Sequence, residues 1–293
     1  MTIENILTID LEDWFHICGV ERYIPRSDWP GLESRVIRNT TRILEILSKK
    51  NVNATFFVLG YIAERHPELI EEIRSLGHEI ASHGYGHDRV YTMTPEGFRK
   101  DLRKSSEIIS AITGSPVKGY RAPEWSIRDD SLWALYILKQ EGFEYDSSMA
   151  PLPFIGNKNY PGFPYHLDIG EGGLWEFPPL VYKGFPVNLP FGGGWGLRVF
   201  PYSLICASIR RLNRHDRPGV IFLHPREFDE ANPVIRLPFV KRFVLEARIE
   251  STEKRLNRLL DDFRFSSMSN VLEKPGNNLS PRASIERSGP TYA

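Results

Sequence analysis

The chain has 293 residues, of which 41% are apolar and 25% are charged, a composition typical of soluble globular proteins. This length allows one large α/β domain or two small ones. The 37 basic residues are balanced by 37 acidic residues. The overall charge therefore does not support a nucleic-acid or membrane-surface partner, both of which favour a basic excess.

Three absences bear on the compartment. Cys18 and Cys206 make no disulfide framework, and no run of about 18 apolar residues exists that could span a bilayer. The first residues also lack the basic flank and apolar stretch of a signal peptide. We therefore expect a cytoplasmic protein without a transmembrane segment, and we leave its oligomeric state open.

Short strand-like runs alternate with helix-like segments over most of the chain. The continuous apolar run over residues 54–59 is typical of a strand buried on both faces. Pro95 after Thr94 indicates a helix start and Gly114 a helix end. In chain order, we predict a strand over 6–10, a helix over 33–49, a strand over 54–59, a helix over 66–76, a strand over 78–81, a helix over 94–113, a strand over 117–121, a helix over 130–140, strands over 143–145 and 174–177, a helix over 202–212, a strand over 219–223 and a long helix over 242–263.

This alternation predicts parallel strands joined by helical crossovers, in either an open doubly wound sheet or a closed barrel. Asp10, His83, Arg121 and His224 all fall where a predicted strand ends. Barrel enzymes place their sites at this C-terminal rim, which favours the barrel, although an open sheet also binds ligands past its strand ends.

Residues 150–200 interrupt the alternation. They are rich in proline, glycine and aromatic residues, and we expect long loops over the barrel mouth that form part of the substrate surface. The end of the chain is rich in Ser, Pro, Gly and Asn, which is typical of disorder. We therefore predict a single domain over residues 1–270 and a disordered tail over residues 271–293.

His83 and His87 lie four residues apart in the segment SHGYGH. Residues at this spacing share one face of a helical turn, so both rings can reach one ion. Taken alone, the pair also fits two surface imidazoles at a helix N-terminus.

An acidic cluster follows the first strand. Asp10 and Glu12 share a face of an extended strand, whereas Asp13 points away unless the chain has already turned. Carboxylates at the end of an apolar run need a cation or hydrogen bonds, or exposure to solvent. One carboxylate with two imidazoles is a common open ligand set for zinc or iron.

His224 follows the apolar run over residues 220–223 and precedes Pro225. A lone histidine there fits a structural hydrogen bond. Its pKa near neutrality also suits a general acid if it faces the same cavity.

Together these segments resemble the polysaccharide deacetylases with a NodB homology domain, carbohydrate esterase family 4, in the branch that lacks the adjacent Asp-Asp pair. The resemblance covers roughly residues 5–265, with the motifs in the family's order and spacing. The matching segments are residues 8–13 (TIDLED), 54–58 (ATFFV), 77–80 (GHEI), 82–87 (SHGYGH), 121–123 (RAP) and 223–225 (LHP).

The resemblance implies a distorted (β/α)₇ barrel and a metal-dependent N-deacetylase acting on an N-acetylated saccharide. Asp10 would be the general base that takes a proton from the attacking water, and Arg121 would orient Asp10 and keep it charged. His83 and His87 would bind a divalent metal, expected to be zinc. His224 would protonate the leaving amine.

The chain departs from the commoner family pattern in two places. The third metal ligand is either Glu12, which strand alternation favours, or Asp13 if a bulge intervenes. The family's substrate-side Asp and Trp are not clear, and we predict Trp175 as an apolar wall, with a buried core position as the alternative. Trp125 is also predicted to bind substrate, and the backbone N–H of Glu124 to stabilise the developing oxyanion.

Two other functions fit the same residues. One is a cyclic-amide hydrolase resembling the allantoinase relatives of this fold. The other is a catalytically silent carbohydrate-binding barrel, against which the retention of Asp10, Arg121 and His224 argues.

Overall fold

The computed structural model describes residues 3–20, 23–169, 171–184, 187–233, 237–274 and 282–283. The strands are β1 (Glu4–Leu11), β2 (Thr55–Val58), β3 (Glu79–Ser82), β4 (Gly119–Tyr120), β5 (Tyr145–Asp146), β6 (Tyr165–Leu167), β7 (Leu174–Glu176), β8 (Val181–Tyr182), β9 (Leu189–Pro190), β10 (Val220–Leu223), β11 (Arg264–Ser266) and β12 (Arg282–Ala283). The α-helices are α1 (Val36–Lys50), α2 (Gly60–Arg65), α3 (Pro67–Ser75), α4 (Pro95–Thr113), α5 (Trp133–Gln140), α6 (Gly194–Val199), α7 (Tyr202–Asn213), α8 (Phe239–Glu246), α9 (Thr252–Asp262) and α10 (Met268–Glu273).

Seven parallel strands form the barrel wall in the order β10-β1-β2-β3-β4-β5-β7. The chain that follows β7 bonds to the free edge of β10. There the Leu180 N–H donates to the Val220 carbonyl at 2.9 Å, and the Phe222 N–H donates to the Gly192 carbonyl at 2.8 Å. The fold is thus the distorted (β/α)₇ barrel that was predicted.

Five of the described strands lie outside this wall. β6 runs antiparallel to β7, β12 pairs with β6, and β11 pairs with the first residues of β1. β8 and β9 form a separate two-stranded sheet. β6, β8 and β9 lie within residues 150–200, so the segment predicted to be long loops carries short strands as well as α6.

The barrel interior is apolar at its N-terminal end. Inward-facing residues of the wall pack there against Met268 and Val271 of α10, which covers this end; they are Ile6, Phe57, Ala81, Tyr145, Phe177 and Val220. A Cβ atom on Gly119 would come within 1.9 Å of the Tyr145 ring, so this layer requires glycine at that position. With this end covered, the polar side chains lie at the opposite end.

The predicted single helix over 242–263 is wrong. α8 ends at Glu246 and α9 begins at Thr252, with a 3₁₀ turn over Ile249–Ser251 between them. Arg198, which is fully buried, donates to the carbonyls of Val244, Leu245 and Ala247, and Arg248 adopts φ 54°. A side chain that captures the last carbonyls of a helix ends it there.

The other predicted elements have counterparts within a few residues. α4 begins after the Thr94 side chain, which accepts from the Gly97 N–H, and ends at Gly114 with φ 67°. α10 runs through Glu273, so it passes the predicted domain boundary at residue 270. Most of the predicted tail lies outside the described residues.

In the described part of the chain, no helix combines the length and apolar character that a bilayer crossing requires.

Candidate active site

The C-terminal ends of the barrel strands bring together residues that are far apart in the sequence. Asp10 lies near the end of β1, and Glu12 follows that strand directly. His83 follows β3, Arg121 follows β4 and His224 follows β10. Because parallel strands end at the same rim, five polar side chains meet over the apolar layer of the barrel.

Glu12, His83 and His87 form a buried cluster. Glu12 Oε1 lies 3.0 Å from His83 Nε2 and 2.9 Å from His87 Nε2. The three side chains are nearly inaccessible to solvent, and their ligand atoms lie within 4.8 Å of one another. The predicted histidine pair and one of the two predicted acidic ligands are therefore assembled at one point.

Hydrogen bonds to the other ring nitrogens orient both imidazoles. His83 Nδ1 donates to the Arg121 carbonyl at 2.7 Å, which turns Nε2 towards Glu12. His87 Nδ1 lies 3.3 Å from the Cys18 sulfur. Cys18 was not predicted, because a single cysteine far from both histidines carries no spacing signal.

The cluster is electrostatically coupled. Burial alone would raise the pKa of Glu12, but the positive charges of His87 and His224 and the hydrogen bonds from both ligand imidazoles hold it well below its usual range. Burial lowers the pKa of His87, whereas Glu12 and Cys18 raise it, and the net effect is a pKa well above the usual value. The site therefore contains an ionised carboxylate, and its negative charge favours a positive charge beside it.

Asp10 and Arg121 form the predicted ion pair. Arg121 Nη1 lies 2.5 Å from Asp10 Oδ1 and 2.8 Å from Thr8 Oγ1. Ser147 Oγ accepts from Nη2 of the same guanidinium at 2.8 Å. Together these contacts hold the guanidinium of Arg121 in one orientation, and this fixes the position of the Asp10 carboxylate.

His224 lies beside Asp10 and Glu12. Its Nε2 lies 3.8 Å from Asp10 Oδ2, and its Nδ1 lies 2.6 Å from Glu227 Oε1. Burial lowers the pKa of His224, but the negative charges of Glu12 and Glu227 raise it above its usual value. Glu227 is a contact that was not predicted, although its position three residues after His224 was a usable signal.

Asp13, the alternative acidic ligand, lies outside the cluster. Its carboxylate accepts from the Trp14 N–H at 2.9 Å, from the Arg35 N–H at 3.0 and 3.1 Å, and from the Val36 N–H at 3.3 Å. Ser34 Oγ also donates to it at 2.5 Å. Through these hydrogen bonds the Asp13 carboxylate fixes the start of α1. This position does not support the prediction that Asp13 binds metal.

Trp125 and Glu124 lie in the turn that follows Arg121. Both have positive φ, 50° and 53°, an uncommon backbone conformation for such residues. The Trp125 ring packs edge-on against Phe222 at 4.3 Å between centroids, and the Glu124 carboxylate pairs with Arg89. Trp125 and Phe222 thus form an apolar wall beside His224, whereas the Glu124 side chain points to a surface partner.

Trp175, the other predicted wall residue, is not at this rim. It pairs in register with Tyr145 and packs against the apolar cluster that α10 covers. Its ring contacts His166 at 5.2 Å between centroids. This placement matches the alternative given for Trp175, a position in the core, and does not support the prediction that it lines the site.

The Glu12, His83 and His87 cluster fits a divalent metal. Two imidazoles and one carboxylate are a recurring open ligand set for zinc and non-haem iron. Each imidazole also has a second contact that orients its ring, as metal-binding histidines usually do.

Comparison with protein families gives two matches along the chain. Residues 33–145 match the polysaccharide deacetylase family, and residues 147–273 match a domain of unknown function (DUF3473). The first region contains His83, His87 and Arg121, and the second contains His224 and Glu227.

Two relatives match over less than half of the chain. The chain is 32% identical over 130 residues to a peptidoglycan deacetylase of Helicobacter pylori and 35% identical over 135 residues to a peptidoglycan-N-acetylglucosamine deacetylase of Bacillus cereus. These matches cover 44% and 43% of this chain but only 41% and 49% of the relatives, less than half of their length.

A solved structure from Mycobacterium smegmatis, assigned to the polysaccharide deacetylases, shares the fold with a TM-score of 0.60 at 23% identity, over 92% of this chain and 90% of that one. Family match, relatives and fold agree with the order of motifs along the sequence. Residues 33–145 therefore match a polysaccharide deacetylase domain of the NodB type, and the chain as a whole shares the fold of this carbohydrate esterase family 4 domain.

Proposed function

We propose that this protein is a metal-dependent hydrolase that removes N-acetyl groups from an N-acetylated saccharide. The observation that carries the proposal is the convergence of Glu12, His83 and His87 beside the Asp10–Arg121 pair and His224. Amide hydrolysis needs a base for water, an acid for the leaving amine and stabilisation of the developing oxyanion. Each of these parts has a candidate within this buried rim.

Glu12, His83 and His87 would hold the metal. When bound, a divalent ion such as zinc supplies a Lewis acid for the acetyl carbonyl and lowers the pKa of a coordinated water. His83 is kept in the required tautomer by the Arg121 carbonyl, so the same residue that pairs with Asp10 also orients a ligand.

Asp10 would act as the base. Its Oδ1 atom is held by Arg121, and its Oδ2 atom faces His224 across 3.8 Å. Oδ2 is therefore the oxygen available to accept a proton from the attacking water.

His224 would act as the acid. As the C–N bond breaks, its Nε2 atom gives a proton to the amine nitrogen, and the products are acetate and a free amino sugar. The wall of Trp125 and Phe222 beside it limits solvent access to this proton.

The substrate class is supported by the relatives, whose names specify peptidoglycan and its N-acetylglucosamine units. We extend only the shared chemistry to this chain, an acetamido group on a saccharide.

An acetate-release assay on metal-defined protein tests the proposal. The purified protein is stripped with a chelator, reloaded with one equivalent of Zn²⁺, and incubated with N-acetylglucosamine oligomers and with peptidoglycan fragments. We expect acetate only from the reloaded protein. Asp10→Asn should lower turnover by about 10²- to 10⁴-fold, the usual contribution of a positioned base, while keeping the metal.

Asp261→Asn is a matched control. Asp261 pairs with Lys50 at the exposed end of α9, and its loss should leave acetate release unchanged. Full acetate release by metal-free protein, or near-normal release by Asp10→Asn, would overturn the proposal. Ring opening of cyclic ureides without acetate release would favour the cyclic-amide hydrolase instead.

A further inference from the structure

The region that matches a domain of unknown function supplies His224 to the site. His224 ends β10, and Pro225 starts a 3₁₀ turn over Pro225–Phe228. The Glu227 N–H donates to the His224 carbonyl at 3.0 Å. In a 3₁₀ turn, side chains three residues apart eclipse, so the sequence His-Pro-x-Glu brings Glu227 back over the imidazole.

The resulting contact is short and buried. Glu227 Oε1 lies 2.6 Å from His224 Nδ1, and the Glu227 side chain is fully buried. A carboxylate oxygen accepts, so Nδ1 carries the hydrogen and Nε2 is turned towards Asp10. The contact therefore fixes both the tautomer and the direction of the imidazole.

Arg198 anchors Glu227 from the other side. The guanidinium is fully buried, and its Nε lies 3.6 Å from Glu227 Oε2. This contact is an ion pair, because the Nε–H donates to the Gly194 carbonyl; the Nη hydrogens are donated to the carbonyls of Val244, Leu245 and Ala247. These bonds tie Arg198 to α6 and to the end of α8, so it cannot follow Glu227 if that carboxylate moves. A buried carboxylate needs such a fixed opposite charge.

We infer that Glu227, anchored by Arg198, is the positioning residue for His224, and that residues 147–273 thereby supply the acid half of the site. This inference rests on the proposed function, in which His224 protonates the leaving amine. Residues 3–145 supply the metal ligands and the base. Of these, Asp10 and Glu12 precede the polysaccharide deacetylase match, and His83 and His87 lie within it.

The leaving group distinguishes this role from a structural one. In amide hydrolysis, the proton passes from His224 Nε2 to the amine nitrogen as the C–N bond breaks, and His224 retains its Nδ1 hydrogen on Glu227. A nitrophenolate leaving group needs no proton. Loss of the positioning by Glu227 should therefore slow hydrolysis of the amide but leave hydrolysis of an activated ester unchanged.

The test compares Glu227→Gln, Glu227→Asp and wild-type zinc-loaded protein on N-acetylglucosamine oligomers and on 4-nitrophenyl acetate. We expect Glu227→Gln to lower kcat on the amide about 100-fold, within the range for a positioned acid, with KM changed less than about 3-fold. The ester rate should stay within about 2-fold of wild type. Glu227→Asp should recover part of the loss, because it restores the charge.

A second measurement needs no substrate. The ¹⁵N spectrum of the His224 ring, assigned with His224→Gln, should show a protonated Nδ1 in wild type and its loss or broadening in Glu227→Gln. If wild-type protein releases no acetate from any saccharide, the proposed function fails while this spectrum still tests the positioning.

Glu141→Gln serves as the matched control, because Glu141 pairs with Arg99 and Arg103 away from the rim. It should resemble wild type in every assay. An unchanged amide rate and His224 spectrum in Glu227→Gln would overturn the inference. Equal losses on amide and ester would also overturn it, because they indicate structural damage alone.

Discussion

Arg121 and Asp10 form an ion pair closed off from solvent, with side chains 0% and 3% exposed and Nη1 2.5 Å from Oδ1. The guanidinium also lies 4.1 Å from the centre of the Phe57 ring. Leaving either charge unpaired is destabilising, because neither buried side chain can be solvated by water. The pair links the base of the proposed reaction to the stability of the barrel.

Removing one partner should therefore lower the free energy of unfolding more than removing both. Arg121→Met leaves Asp10 buried without its counter-charge, and we expect the free energy of unfolding to fall by about 3–5 kcal/mol. The double variant Asp10→Asn/Arg121→Met should lose less than this single variant. Urea unfolding measures both, and a double variant less stable than Arg121→Met would refute the coupling.

Glu12 and Asp13 are neighbours with different surroundings, and substitution should separate their contributions. Glu12→Gln should weaken zinc binding by about 100-fold or more, because it removes a ligand charge. Asp13→Ala should keep one zinc per chain but lose about 1–3 kcal/mol of stability, because the amides at the start of α1 lose their acceptor.

Metal titration and thermal unfolding of the two variants make this comparison. A loss of zinc in Asp13→Ala, with zinc retained in Glu12→Gln, would reverse the assignment of the acidic ligand.

A second pair of acids, Asp146 and Glu176, is fully buried. Burial raises the pKa of Asp146 to about 6, and burial together with the charge of Asp146 raises the pKa of Glu176 well above its usual range. Ser148 Oγ donates to Asp146 at 2.5 Å, and the Met149 N–H donates to Glu176 at 3.0 Å. The folded protein therefore holds protons here that the unfolded chain releases.

This difference gives stability a definite pH dependence. Because the folded pKa of each acid is raised, the stabilisation is complete below the unfolded values near 4 and is lost as pH rises through 6 and above. Glu176→Gln removes one of the two acids. Its stability relative to wild type should rise between pH 4 and pH 8, by on the order of 1–3 kcal/mol.

Urea unfolding at several pH values measures this effect, with Glu144→Gln as a control on an exposed acid paired with Lys118. A difference in the free energy of unfolding between Glu176→Gln and wild type that stays constant across this range would contradict the prediction. It would show that the two buried acids hold no extra proton in the folded state.

The barrel architecture could be predicted from the sequence because the same local pattern recurs along the chain: an apolar strand followed by a polar residue. Runs such as residues 54–59 show burial on both faces, and each polar residue that ends such a run lies at the rim. Asp10, His83, Arg121 and His224 were predicted in this way, and the structure brings all four together.

Three features could not be obtained in this way. Trp175 packs in the layer that α10 covers, and the sequence does not give the height of a residue along the barrel axis. The break between α8 and α9 depends on Arg198, about fifty residues away, which captures the last carbonyls of α8. The Cys18 contact to His87 likewise depends on how a loop folds over the site.

The central claim is that Glu12, His83 and His87 bind one metal ion. Anomalous diffraction at the zinc absorption edge, from crystals of zinc-loaded protein, tests it without reference to activity. We predict one strong peak per chain, within about 2.0–2.3 Å of Glu12 Oε1 and both Nε2 atoms, and no such peak in crystals of His83→Ala. A zinc peak bound by other residues, or wild-type crystals without a peak among these three side chains, would refute the metal site.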